Sequence, residues 1–453
     1  MRNFLERMKR IVAKFGGSSM RDASAMRKAA ALTIARKAGF VIVSATYRTT
    51  DQLLQLASAA ELEDHSAKNE LLKTIREKHL HIADDLVVAE PVLDAIAEIF
   101  KELEALILSV SLLRKCSPNT LDQILSVGER LSSLLFVEAL KEQNSQTVRW
   151  FDIREVMITN DRHLKAEPLF DEISQLAQKH CPIKPGTVIV SQGFIGRTQK
   201  GATTTLGRGG SDYSGSIIAG ALWADQLEIW TDVPGISTCD PKVYPKARAI
   251  PELSYDEASE MAQYGAKILH PTTLVAAMKQ HFPVFVGSTF EPEKGGTFIR
   301  SKVKDQPLVR AISHRLHQSL MVIKTPKMFH AFGFMSNIFR VFREHEVSVD
   351  CITTSEIGVA VSVDQELELN IPLVGDLQKL GDVKFEIGYS LISLIGNRMF
   401  ITAGMGKKLF AALGDINVRM MCFGASQYNL NILVKDEDCA RAIQNLHQTF
   451  IEQ

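Results

Sequence analysis

The sequence predicts an α/β protein: a mainly parallel sheet sandwiched by helices, then two smaller ferredoxin-like α+β modules. Three observations predict it. Short apolar runs alternate with helical stretches as far as residue 290, the pattern of doubly buried strands joined by crossover helices. The texture then breaks at Glu291-Pro292-Glu293-Lys294-Gly295-Gly296 and again at Ser301-Lys302-Val303-Lys304-Asp305-Gln306-Pro307, which marks a domain boundary. Beyond the break, a strand–helix–strand–strand pattern occurs twice, about 70 residues apart.

Ile11–Phe15 is a buried strand that runs into the turn Gly16-Gly17-Ser18-Ser19. Asp22 to Ala38 has helical spacing and is expected to end on Gly39 as C-cap. Phe40–Ala45 is a second buried strand, and residues 52–144 read as mostly helical. Within them, Leu121 to Gln143 carries Ile124, Leu125, Leu131, Leu134 and Leu135 as an apolar side. Val148–Asp152, Thr187–Phe194, Leu227–Trp230 and Pro283–Gly287 are further strands. In the tail the first repeat is Ser319–Ile323, a helix from Gly333 to Glu344, Val347-Ser348-Val349 and Gly358–Val363. The second is Leu391–Ile395, a helix near Gly406–Leu413, Ile416-Asn417-Val418 and Asn429–Val434, closed by a helix over Glu437–Thr449. The expected domains are 1–300 and 301–453, the second holding modules at 312–385 and 386–453, or an interleaved pair.

Composition narrows the function classes. The 453 residues carry 52 basic and 52 acidic side chains, and this balance argues against a general affinity for nucleic acid or membrane. Six dispersed cysteines (Cys116, Cys181, Cys239, Cys351, Cys422, Cys439) show no zinc spacing and read as thiols in a reducing compartment. No apolar run reaches the length of a membrane span, and no secretory core follows Met1 to Arg10. A cytoplasmic protein is expected.

Chemistry concentrates in two glycine loops. Thr205-Leu206-Gly207-Arg208-Gly209-Gly210-Ser211-Asp212 combines glycines, a guanidinium, hydroxyls and a carboxylate. Glycine lets backbone N–H groups approach an anion, and Arg208 can grip a carboxylate or phosphate through two bonds. Lys14 precedes the second loop at a strand end, where ligands of parallel sheets bind. Two such loops suggest a site for two charged substrates.

Five ordered motifs then carry a resemblance. They are Lys14-Phe15-Gly16-Gly17-Ser18-Ser19, Ser126-Val127-Gly128-Glu129, Gly207-Arg208-Gly209-Gly210-Ser211-Asp212, Trp230-Thr231-Asp232-Val233-Pro234-Gly235 and Tyr264-Gly265-Ala266-Lys267-Ile268-Leu269-His270-Pro271. Together they resemble the aspartokinases of the amino-acid kinase fold family, and the tail, with Ile352-Thr353-Thr354-Ser355-Glu356, resembles their tandem ACT modules. The monofunctional, lysine-inhibited type is the nearest match, with no dinucleotide fingerprint for a second enzyme in these residues. The resemblance implies phosphorylation of L-aspartate by ATP with Mg2+, giving 4-phospho-L-aspartate.

The resemblance assigns Lys14 and Asp212 to catalysis, with Gly16 and Gly17 offering N–H groups to phosphate. It assigns Thr50, Glu129, Arg208, Gly209, Gly210 and Ser211 to aspartate, with Arg208 on the α-carboxylate and Glu129 on the α-ammonium. Read alone, Glu129 is a solvated helix charge, Thr50 a helix N-cap and Asp212 the N-cap of a helix over Tyr213–Ala221. Thr231, Asp232, Ser237, Lys242 and Lys267 fall to the nucleotide. Ser237 stands where tyrosine is common, and Lys242 where arginine offers a bidentate grip. No dedicated metal cage is expected; His314 and His317 read as surface residues, and magnesium arrives with ATP.

For the effector, the resemblance implies Met328, Ala331, Phe334, Met335, Val349, Asp350, Ser355 and Glu356, with the acids facing the ε-ammonium of lysine. Ala331 replaces a serine common in lysine-sensitive relatives. ACT pairing implies a homodimer or a dimer of dimers. Two other readings stand beside this one: another amino-acid kinase, such as a glutamate kinase, and a catalytically silent ACT-type sensor.

Overall fold

The computed structural model describes residues 9–143, 147–265, 270–329, 331–364 and 371–452. Its strands, in chain order, begin with β1 (Ile11–Phe15), β2 (Phe40–Val43), β3 (Thr147–Phe151), β4 (Ile158–Thr159), β5 (Thr187–Gln192) and β6 (Ile195–Thr198). They continue with β7 (Thr203–Thr205), β8 (Gln226–Thr231), β9 (Glu252–Ser254), β10 (Val284–Ser288) and β11 (Gly296–Arg300). An eight-stranded sheet has the order β3-β5-β2-β1-β8-β10-β11-β9. Every pairing in it is parallel except β10 with β11. β1, β2 and β10 are buried along their whole length, as the apolar runs require of central parallel strands.

Helices α1 (Ala23–Arg36), α2 (Thr49–Glu61), α3 (His65–Asp85), α4 (Glu90–Leu113) and α5 (Pro118–Lys141) build one large apolar core with the β1–β2 face. α6 (Phe170–His180), α7 (Gly210–Ala221), α8 (Tyr255–Gln263) and α9 (Pro271–Gln280) follow. A small sheet, β4-β6-β7, precedes α7. Its β6–β7 hairpin delivers the chain into the Gly207–Asp212 loop.

Several boundaries differ from the sequence reading. α1 stops at Arg36, because Lys37 takes the left-handed conformation (φ 56°) and closes the helix by bonding to Ile34 and Thr33 carbonyls. Gly39 is instead a packing glycine: a Cβ there would lie 2.3 Å from Ile183 Cγ2. β2 ends at Val43 because the chain turns after the Ser44 N–H reaches the Phe15 carbonyl.

The tail holds β12 (Val309–Lys324), α10 (Phe334–Glu344), β13 (Cys351–Thr354), β14 (Gly358–Asp364), α11 (Ile371–Gln378) and β15 (Asp382–Gly396), then α12 (Met405–Leu413), β16 (Met420–Phe423), β17 (Asn429–Lys435) and α13 (Cys439–Phe450). One antiparallel sheet, β13-β14-β12-β15-β17-β16, contains all six strands. β12 and β15 pair from Val309 with Gly396 to Lys324 with Asp382, with register shifts between Val309 and Ala311 and between Arg315 and Leu320. The two long strands therefore serve two cores. One core gathers Met321, Ile323, Phe342, Val361 and Leu377; the other gathers Ile312, Leu394, Leu409, Ile432 and Ile443.

Neither Val347-Ser348-Val349 nor Ile416-Asn417-Val418 is a strand. Val347 bonds back to the Phe342 carbonyl and Ile416 to the Leu413 carbonyl, so each triplet closes the preceding helix and packs as a loop. The strands proper begin at Cys351 and Met420. The chain forms two compact units, residues 1–236, 249–255 and 268–302 in the first and residues 237–248, 256–267 and 303–453 in the second.

Candidate active site and effector pocket

In the first unit, the carboxyl ends of β1 and β2, the middle of α5 and the start of α7 surround a cleft of about 600 Å³. Its lining includes Lys14, Gly17, Thr50, Glu129, Arg208, Gly209, Gly210, Ser211 and Asp212. Residues separated by almost two hundred positions thus converge where ligands of parallel sheets bind.

Lys14 is 7% exposed, and its Nζ lies 2.5 Å from Asp212 Oδ1. Asp212 is the third residue of α7, whose N-cap is Gly209. Asp212 is therefore not the cap the sequence suggested: it orients Lys14 beside the helix N-terminus, where unpaired N–H groups favour an anion. Gly209 has φ of 72°, and a Cβ there would meet His270 Cβ at 2.4 Å, so this position needs glycine twice over. His270, buried enough that its pKa is lowered, is the buttress of the loop. The motif contained it, but nothing in the sequence assigned it that task.

Glu129 overturns the solvated-charge reading. It is 3% exposed on the inner side of α5, and burial pushes its carboxyl up to about 8 despite a hydrogen bond from the Ala45 backbone and the nearby Lys14. Its Oε2 is buried without a hydrogen-bond partner. Gly128 explains how it gets there: a Cβ would stand 2.8 Å from the Ala45 Cβ, so only glycine lets α5 approach the β2–α2 turn. A cationic group placed at Oε2 would answer the unmet acceptor.

Thr50 lines the cleft as the second residue of α2 and not as its cap, because the cap position is taken by Arg48 at φ 63°. Arg48 also lines the cleft, a cation the sequence reading missed. The turn is braced from α3. His79 Nδ1 donates to the Ile75 carbonyl at 2.7 Å, leaving Nε2 to accept the Thr46 hydroxyl at 3.0 Å. Burial holds His79 neutral, with its pKa lowered to about 4. Lys78 bonds Thr49 Oγ1 and Gln52 Oε1. On the opposite wall, buried Asp122 accepts from Thr205 Oγ1 at 2.5 Å, His163 Nδ1 at 2.7 Å and the Leu164 N–H at 3.2 Å. These braces come from distant elements, which no local motif reveals.

The Gly16 N–H does not fit the phosphate-cradle expectation: it donates to the Trp230 carbonyl at 3.0 Å, splicing β1 to β8. Thr231 ends β8 and donates to Asp232 Oδ1 at 3.1 Å; Asp232 is exposed. Neither lines the cleft described. Ser237 and Lys242 belong to the second unit, Lys242 being exposed with its N–H on Asp240. Lys267 lies outside the described residues. Among the described residues no cluster of three or more His, Cys, Asp or Glu could hold a metal ion, and no helix is long and apolar enough to cross a membrane.

In the second unit, a pocket of about 280 Å³ is lined by Met328, Phe329, Ala331, Gly333, Phe334, Met335 and Glu356. Five of the expected effector residues meet there. Val349, Asp350 and Ser355 do not line it: Val349 packs on the core, Asp350 pairs with Arg315 at 2.8 Å, and the Ser355 N–H bonds the Gly358 carbonyl.

Residues 9–288 match the amino acid kinase family, and residues 392–450 match an ACT domain. The lysine-sensitive aspartokinase 3 of Escherichia coli K12 is 40% identical over 451 residues, covering 98% of this chain and 99% of that one. The chain belongs to the aspartokinase family. The enzyme is thus an aspartate kinase, and its fold is the amino-acid kinase fold with ACT modules. The crystal structure of E. coli aspartokinase III with aspartate and ADP, described as the R-state, superposes with a TM-score of 0.88 at 39% identity, covering 98% of this chain and 100% of that one. The T-state complex of the same enzyme with lysine and aspartate gives 0.84 at 40% identity, covering 98% and 99%. Neither the glutamate-kinase nor the silent-sensor reading is favoured by these relatives.

Proposed function

We propose that this aspartate kinase transfers the γ-phosphoryl group of MgATP to the side-chain carboxylate of L-aspartate, and that L-lysine inhibits it. The observation that carries the catalytic reading is the buried, half-satisfied Glu129 carboxylate in a cleft that also presents Lys14, Arg208 and the α7 N-terminus. An α-amino acid needs an anion for its ammonium and a cation for its α-carboxylate. Glu129 and Arg208 supply the two.

The attacking carboxylate is already ionised at neutral pH, so no general base is required. The obstacle is the approach of an anion to a polyanion. Lys14, fixed by Asp212, and the amides opening α7 offset charge that spreads over the transferring oxygens. Positioning supplies the remainder: Arg208 and Glu129 hold the amino-acid end, leaving the side-chain carboxylate to meet the γ-phosphorus. Thr231, Asp232, Ser237, Lys242 and Lys267 are proposed for the nucleotide. Magnesium enters with ATP as part of the co-substrate.

For regulation, residues 1–300 are read as catalytic and 301–453 as regulatory. The 280 Å³ pocket offers the N-terminus of α10 to a carboxylate and Glu356 to an ammonium. That pairing suits a free amino acid with a cationic side chain. A homodimer through the ACT modules, or a tetramer, and a cytoplasmic location complete the reading. The test is ADP release by the purified protein, measured against aspartate with and without lysine. Aspartate-dependent release suppressed by lysine is expected; release indifferent to aspartate overturns the catalytic reading, and indifference to lysine the regulatory one.

A further inference from the structure

The six-stranded sheet of the tail has two edge strands, β13 and β16, that lie against each other. No ladder joins them. The seam is held by side chains: the Cys422 thiol donates to the Ile352 carbonyl at 3.3 Å and lies 3.4 Å from Thr353 Oγ1, while Thr353 Oγ1 also reaches the Met421 carbonyl at 3.3 Å. Cys351 sits beside this contact. Both thiols are free, they interact directly, and both pack in one apolar cluster with Leu320, Met420 and Leu433. Cys351 is 4% exposed, whereas Cys422 is half-buried.

We propose that Cys351 and Cys422 form a reversible dithiol–disulfide site that cross-links the β13–β16 seam and thereby tunes the effector pocket. β13 ends one residue before Ser355 and two before Glu356, which lines that pocket. A covalent tie on β13 restrains the segment that carries Glu356. This coupling rests on the effector reading above; the cross-link itself does not.

The chemistry is thiol–disulfide exchange with a small disulfide such as oxidised glutathione. Cys422 is the attacking sulfur, because it is the more accessible and its neighbours favour its thiolate, whereas the hydrogen bond to Cys422, and then burial, disfavour that of Cys351. Its thiolate attacks one glutathione sulfur and expels a glutathione thiolate. The Cys351 sulfur then gives up its proton, attacks Cys422 in the mixed disulfide and expels the second. Two protein thiols lose two electrons and two protons, and the oxidant leaves as two glutathione thiols.

The test equilibrates the full-length protein with oxidised and reduced glutathione over a range of ratios, followed by alkylation and peptide mapping. A Cys351–Cys422 linked peptide, a mass lower by two hydrogens and reversal by dithiothreitol are expected. The half-inhibiting lysine concentration should shift by about fivefold, within the usual span of coupling between sites. Cys351→Ser should leave Cys422 as a mixed disulfide without the cross-link. Free alkylation of both cysteines at every ratio, or cross-links only elsewhere, overturns the proposal. A linked peptide with an unchanged lysine response overturns the coupling. Calorimetry of lysine on the reduced protein separates the two readings: no binding there refutes the effector pocket alone, since the cross-link is scored independently.

Discussion

Glu129 makes a quantitative demand on the enzyme. Its carboxyl is pushed up to about 8 by burial, yet it must be ionised to hold an ammonium. At pH 7, ionising a group with that pKa costs about 1.4 kcal/mol, a factor of ten in the fraction available. Aspartate binding should therefore release a proton below pH 8. KM for aspartate should fall roughly tenfold between pH 6 and 7 and flatten near pH 8. Glu129→Gln keeps the shape and removes the charge. Truncating one partner of a buried charge pair costs about 2–5 kcal/mol, and subtracting the saved ionisation of about 1.4 kcal/mol leaves about 0.6–3.6 kcal/mol, or roughly 3- to 400-fold in KM. The variant should also lose the pH slope. Stability moves the opposite way. The folded-state pKa is raised, so the carboxyl ionises in the unfolded chain from about pH 4.3 but in the folded one only near 8; native stability drains away across that window. Glu129→Gln should thus gain stability relative to the parent between pH 5 and 8.5, by at most about 5 kcal/mol. Initial rates across pH 6–8.5 and thermal unfolding at both ends check this. An unchanged KM in the variant, with the same pH slope as the parent, would refute the assignment.

Other expectations follow from the same geometry. Lys14→Ala should lower kcat by about 10²- to 10³-fold, the scale of losing an electrostatic stabiliser, while lysine binding stays nearly unchanged; unaltered kcat removes Lys14 from the mechanism. Gly128→Ala forces a Cβ against Ala45 and should cost about 1–3 kcal/mol in denaturant unfolding, with weaker aspartate binding. Asp122→Asn loosens the Thr205 and Leu164 anchors and should raise KM for aspartate more than it lowers kcat, which steady-state kinetics reads directly. Glu356→Ala should relieve lysine inhibition without much effect on turnover; retained inhibition moves the effector site elsewhere.

The legible parts of this protein were those written locally. β1, β2, β8 and β10 announced themselves because doubly buried strands need continuous apolar runs, and α5 because its apolar side repeats with helical spacing. The Lys14, Arg208 and Asp212 motifs were visible because anion-handling loops need glycine beside charge. Glu129 was visible only by resemblance: in its helix it looks like any surface acid, and its burial depends on Gly128 allowing contact with a turn some eighty residues earlier. Arg48, Asp122, His79 and His270 escaped notice for the same reason. Asp122, His79 and His270 act on the cleft through partners far away in sequence, and Arg48 reaches it only through the left-handed turn that opens α2; no spacing rule encodes either. The triplets Val347–Val349 and Ile416–Val418 misled because an apolar–polar–apolar alternation buries its apolar side chains equally well in a helix-closing loop. Gly39 misled because close packing against Ile183 and helix termination ask for the same residue.

The most direct test of the account is ATP-dependent acyl-phosphate formation, trapped as hydroxamate, with aspartate and glutamate supplied separately. The account predicts product with aspartate and little with glutamate. Product with glutamate instead would keep the fold and overturn the substrate, and product with neither would contradict the assignment of the cleft.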